Sequence, residues 1–119
     1  MKVQNYREVE GIMEVPGVTM HVVAGPAENA PTFVMRVFEI EPGSNTPHHI
    51  HPWEHEMFVV KGRGTLKSGN TEKSLKEGDA ITVLPGEPHG VFNTGKDLLT
   101  IICVVPLVDG KMPGMPMED

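Results

Sequence analysis

The chain has 119 residues, of which 39% are hydrophobic, 22% charged and 5% aromatic, with 13 Gly and 11 Pro, the profile of one turn-rich domain large enough to bury a core without staples. Sixteen acidic against ten basic residues leave a formal charge of −6, which excludes the basic footprint of a nucleic-acid or anionic-membrane binder. A single cysteine, Cys103, rules out an internal disulfide and fits a reducing compartment.

At the N-terminus, MKVQNYREVEG carries Arg7, Glu8 and Glu10 where a secretory signal needs an unbroken apolar stretch. The longest apolar run, 98–107, falls well short of the roughly 20 residues that cross a bilayer. The expectation is a cytoplasmic protein with no membrane partner. Gly or Pro interrupts nearly every window long enough for three helical turns, so the elements are short strands. In chain order they fall at 12–15, 18–23, 32–40 (TFVMRVFEI, the strongest), 46–51, 54–61, 64–68, 72–75, 80–84, 89–92 and 98–105. Turn sequences separate most of them: EPG at 41–43, SGN at 68–70, EGD at 77–79, LPG at 84–86 and NTGK at 93–96. About ten short strands predict a sandwich or barrel rather than a βαβ fold. No internal repeat or linker divides the chain, so 1–108 reads as a single all-β domain. From 109 onward, DGKMPGMPMED has no alternation and reads as a flexible Met/Pro-rich tail. The thioethers of Met112, Met115 and Met117 are soft enough for Cu(I), but with no Cys or His beside them a loose terminus is the simpler expectation.

Five of the six histidines lie between His48 and His89. On a strand, residues two apart share a face, so His49 and His51 in HHIH project together while His48 and Ile50 point away. After the turn Pro52-Trp53-Glu54, His55 opens the next strand and can point into the same space. His89, after LPGEP, is the remaining candidate for a fourth ligand beyond the lone His21. An isolated His such as His21 or His48 is more often a surface or hydrogen-bonded residue. Three in H-x-H-x-x-x-H are different, because unpaired imidazoles are costly to bury. Neutral imidazoles suit Mn, Fe, Co, Ni, Cu or Zn, not the oxygen-seeking Ca or Mg.

The stretch Gly43-x5-His49-x-His51-x3-His55-x6-Gly62 resembles the first cupin motif, and Gly78-x6-Pro85-Gly86-x2-His89-x3-Asn93 resembles the second. More narrowly, FVMRVFEIEPG followed by HHIHPWEHEMFVVKG is similar to the small manganese-binding monocupins with four histidine ligands. The resemblance implies a double-stranded β-helix (jelly-roll) barrel, a homodimer, and a divalent metal, Mn²⁺ first and Fe²⁺, Cu²⁺, Ni²⁺ or Zn²⁺ as alternatives, held by His49, His51, His55 and His89. The commonest cupin pattern has Glu where this chain has His55. Glu56 is adjacent but belongs to the opposite strand face. Exchanging a carboxylate for imidazole leaves the ion one unit more positive and a stronger Lewis acid. Four imidazoles on a six-coordinate ion leave two positions for water, substrate or dioxygen.

Around that site the expected lining is apolar: Phe33, Val34, Met35, Val37, Phe38, Met57, Val59, Ile101 and Ile102. Arg36 is the exception in its strand, either an anchor for a carboxylate or enolate oxygen or a solvent-facing residue. Cys103 either faces the pocket or is a small core residue. Trp53 reads as packing, as a shield over the site or as filling a dimer interface, Asn93 as structural. Three functions remain open: a metal-dependent oxygenase acting on a small, largely apolar substrate, a Lewis-acid isomerase or decarboxylase, and a non-catalytic metal- or ligand-binding cupin. A sugar-phosphate substrate is disfavoured because neither motif carries a basic cluster.

Overall fold

The structure, a computed structural model, describes residues 1–48 and 50–113, the side chain of Glu14 excepted. Among these residues the alternating stretches become nine strands: β1 (Ile12–Val15), β2 (Val18–Ala24), β3 (Phe33–Ile40), β4 (His55–Lys61), β5 (Gly64–Ser68), β6 (Thr71–Leu75), β7 (Ala80–Val83), β8 (Gly90–Phe92) and β9 (Leu99–Pro106). Two three-residue 3₁₀ turns, Tyr6–Glu8 and Pro26–Glu28, complete the regular elements. No helix among the described residues is long and apolar enough to cross a membrane.

The strands form a six-stranded sheet in the order β1-β2-β3-β9-β4-β7 and a three-stranded sheet in the order β6-β5-β8. Every pairing is antiparallel. The last strand, β9, is inserted between β3 and β4, so chain segments far apart in sequence lie side by side. Side chains from both sheets meet in one core, with Val18 and Met20 of β2, Ile40 of β3, Val59 of β4 and Leu99 and Ile101 of β9 essentially sealed from solvent, and Leu75 and Val91 contributed by the smaller sheet. Each strand supplies alternate residues to that core because its side chains point to opposite faces in turn.

The segment expected as a strand at 46–51 forms none among its described residues; an isolated bridge joins Asn45 to Phe92 just before it. It is nonetheless tied to β8. The Thr46 N–H donates to the Val91 carbonyl at 2.9 Å, and the Val91 N–H donates to Thr46 Oγ1 at 2.9 Å. Gly90 makes this approach possible: a Cβ there would lie 3.1 Å from the His48 Cα. The local pattern looked like a strand, but the segment has too few backbone partners to continue a ladder.

At the other end of the barrel, Asn93 is 2% exposed and ties three segments together. Its Nδ2 donates to the carbonyls of Ile40 (2.7 Å) and Asp97 (2.9 Å), and its Oδ1 accepts from the Gly95 N–H (3.0 Å). At the start of the tail, Val108 and Lys111 exchange two backbone hydrogen bonds and Met112 packs against the core. Met115 and Met117 lie outside the described residues.

Candidate metal centre

Strand alternation places His55, Met57 and Val59 of β4 on the inner face and Glu56 outside. His51 enters from the preceding connection, and His89 from the turn before β8. A backbone bond couples these two loops: the Gly86 N–H donates to the His51 carbonyl at 2.7 Å. All three histidines are buried, and each presents a ring nitrogen within 4.8 Å of those of the other two. The ring centroids of His51 and His55 stand 4.9 Å apart, those of His55 and His89 4.9 Å, and those of His51 and His89 5.4 Å. His49 lies outside the described residues.

The surroundings hold the rings in place. Trp53 stacks on His51 at 4.5 Å between centroids, and its indole N–H donates to His55 Nε2 at 3.1 Å. The other nitrogen of His55, Nδ1, lies 3.4 Å from Cys103 Sγ, and His89 Nδ1 is 3.0 Å from the Glu87 carbonyl. The Glu87 carbonyl on His89 and the Cys103 sulfur on His55 are partners of the kind that fix ring orientation around a metal, whereas the Trp53 N–H occupies His55 Nε2 and has to yield wherever that nitrogen is the ligand atom. Burial pushes the His89 pKa below its usual value, against the opposing pull of the Glu87 carbonyl, which favours the neutral imidazole a metal requires. The packing reading of Trp53 and its shielding reading therefore coincide: it covers His51 and packs against His55.

Three imidazole donors converging in a buried space fit a borderline divalent transition ion. Glu56, adjacent to His55 in sequence, is not among them. It is exposed on the outer face, where a hydrogen bond with Glu54 raises its pKa. His21 and His48 also stand apart. His21 Nδ1 contacts the Val9 carbonyl at 2.8 Å and its Nε2 lies 3.5 Å from Glu39, while His48 Nε2 accepts from the Gly69 N–H.

Beside the histidines is a cavity of about 30 Å³ lined by His55, His89, Arg36, Cys103, Thr46, Pro47 and apolar side chains that include Val15, Val18, Phe38, Met57, Val91 and Ile101. Arg36 faces inward at 3% exposure, and Cys103 is its direct cross-strand partner, as Met57 is on the other side of β9. The Arg36 Nη2 donates to Cys103 Sγ at 3.2 Å, and the guanidinium carbon lies 5.2 Å from the Phe38 ring centre. Burial raises the Cys103 thiol pKa, Arg36 pulls it back down, and the Glu56 charge pushes it up. Phe33 and Met35, expected in the lining, are instead exposed on the outer face. Both alternating sets of β3 are largely apolar, so composition did not choose between them, and the sheet placed the set containing Arg36 inside.

Histidines converging between two antiparallel sheets define a β-barrel with a candidate divalent metal site. The Cupin_2 family, described as a cupin domain, matches residues 36–105, and the chain belongs to that family, with the double-stranded β-helix fold expected of it. The structure of the polyketide cyclase RemF from Streptomyces resistomycificus superposes with a TM-score of 0.81 at 30% identity, over 89% of this chain and 79% of that one. An oxalate-binding protein of Thermotoga maritima is 25% identical over 108 residues, 90% of this chain and 86% of that protein. An uncharacterized protein of Methanocaldococcus jannaschii is 36% identical over 62 residues, 51% of this chain and only 50% of its own length.

Proposed function

We propose that this cupin is a metal-dependent enzyme for a small, largely apolar, oxygen-bearing substrate, with a divalent transition ion held by His51, His55 and His89 and by His49 from the adjoining position. The observation that carries this reading is the convergence of three buried imidazoles, two of which, His55 and His89, also line a largely apolar cavity. Among the described residues lining that cavity there is no Asp or Glu, so none of them would offset the charge of a bound ion. When bound, such an ion supplies Lewis acidity at a substrate oxygen and, if it is manganese, iron or copper, access to redox chemistry. The chain's own part is to orient and desolvate. Trp53 packs against two of the rings, Met57, Phe38 and Ile101 exclude water, and the described lining residues supply no carboxylate base.

This balance favours polarisation of a carbonyl, as in cyclisation, isomerisation or decarboxylation, and the likeness to a polyketide cyclase supports it. The apolar walls give the oxygenase reading its support, since they would admit dioxygen while excluding water. Manganese remains the first expectation for the ion. A homodimer is also proposed: the outer face of the large sheet exposes Phe33, Met35 and Phe58, and Phe58 lies in register with Ile102 of β9.

The test begins with elemental mass spectrometry of untagged protein, followed by small enolisable carbonyl compounds offered to protein loaded with zinc, manganese or iron. Deuterium uptake from solvent into the substrate under argon, with zinc sufficing, supports Lewis-acid catalysis. Oxygen consumption confined to the redox metals supports the oxygenase. Protein that takes up none of these ions overturns the proposal, and stoichiometric metal with neither activity moves the chain to the non-catalytic binding class.

A further inference from the structure

We propose that Arg36 forms a built-in subsite for the oxyanion head, a carboxylate or enolate, of a small organic anion bound beside the three histidines. This deepens the reading above, since it names the charged part of the substrate, and it rests on that reading for the role of the neighbouring ion.

Arg36 is 3% exposed, yet no carboxylate among the described residues comes within ion-pair distance of it. Its Nε is buried with no hydrogen-bond partner among those residues. The contacts it does make are with the Cys103 sulfur, a weak acceptor, and with the face of Phe38. A guanidinium stays protonated at any physiological pH. Burying one without a counter-charge is strongly unfavourable, and an apolar residue of similar length would fill the same volume without that penalty. The group, without a counter-charge among the described residues, opens onto the cavity that His55 and His89 also line. Cys103 Sγ marks how close the two functions are, 3.2 Å from Arg36 Nη2 and 3.4 Å from His55 Nδ1.

The chemistry of the absent partner follows from shape and size. A guanidinium presents a planar fork that matches two oxygens of a delocalised anion. The enclosed space beside Arg36, about 30 Å³, has room for about two water-sized groups, which suits the two oxygens of a carboxylate head. The remaining walls are apolar, so the rest of the ligand carries little further charge.

The experiment uses the full chain, both zinc-loaded and chelator-stripped, titrated with acetate and, for the same shape without charge, with acetamide. The readouts are the ¹⁵N-edited signal of the Arg36 Nε–H and the melting temperature. The expected result is a saturable acetate-dependent shift of that signal in both preparations and none with acetamide. Arg36→Met should weaken acetate binding about 10- to 100-fold, the equivalent of one charge-assisted hydrogen bond, while keeping its zinc content and melting no lower than wild type. Arg36→Lys, which keeps the charge but not the fork, should fall between. The proposal is overturned if acetate and acetamide act alike, or if acetate stabilises Arg36→Met as much as wild type, in which case the anion belongs to the ion. The stripped preparation separates this failure from failure of the metal reading, because a protein that binds no zinc can still show the Arg36 response.

Discussion

Replacing Asn93 with alanine deletes three hydrogen bonds at once and leaves their partners in place. The Ile40 carbonyl, which accepts from Asn93 Nδ2 at 2.7 Å, belongs to a residue with no solvent exposure, so water cannot readily replace the lost donor and the cost is about 1–3 kcal/mol. The Asp97 carbonyl and the Gly95 N–H lie nearer the surface, where hydration recovers part of each bond and leaves about 0.5–1 kcal/mol apiece. Together these give a destabilisation of about 2–5 kcal/mol, a large share of the roughly 5–15 kcal/mol that holds a domain folded. Urea unfolding followed by the fluorescence of Trp53 reads it directly, as a midpoint lower by about 1–2 M at unchanged slope. Asn93→Asp should be worse than alanine, because it keeps the acceptor for Gly95 but sets a carboxylate against two carbonyl oxygens. A midpoint lowered by less than about 0.3 M would show that the neighbouring strands hold their register without this residue and that the reasoning is wrong.

Gly62, at φ +95, closes the β4–β5 bend with its α-carbon facing the Leu98 carbonyl; an alanine Cβ would lie 2.6 Å from that oxygen, so Gly62→Ala should destabilise by about 2–4 kcal/mol in the same unfolding assay. The lowered pKa of His89 makes the metal-free protein sensitive to acid. Between its ordinary value of 6.5 and the lower folded value, the unfolded chain binds the proton more readily than the folded one, so stability falls as pH drops through that window and levels off below it. Melting curves across it should slope more steeply for wild type than for His89→Asn. Zinc at about 100 times its dissociation constant should stabilise the folded chain by about 2.7 kcal/mol, roughly 10 °C in melting temperature. Alanine at His51, His55 or His89 should each remove most of that gain, and a full zinc response in all three variants would place the ion elsewhere.

The strand pattern was largely readable because alternation and turn residues act locally. EPG, SGN and EGD interrupt the chain where β3, β5 and β7 end or begin, and β-branched runs such as TIICVV supply the strands between. The histidine cluster was readable for a related reason: His55 opens a strand, its inward set continues through Met57 and Val59, and His89 follows a proline turn that brings the chain back. The 46–51 segment misled because its apolar and polar residues alternate like a strand's, whereas a ladder also needs a neighbour with free backbone groups.

What the sequence determined by itself was the class of the chain: acidic, all-β, of one domain, with imidazoles spaced to converge. Which way Arg36 points was a matter for the tertiary structure alone. Val34, Arg36, Phe38 and Ile40 could have faced solvent as readily as Phe33 and Met35, since a shift of one residue exchanges the two faces. The insertion of β9 between β3 and β4 settled it, setting Arg36 opposite Cys103 and Cys103 opposite Met57. Residues 67 positions apart thus became neighbours, and a lone arginine in an apolar strand became the one cation lining the cavity among the described residues.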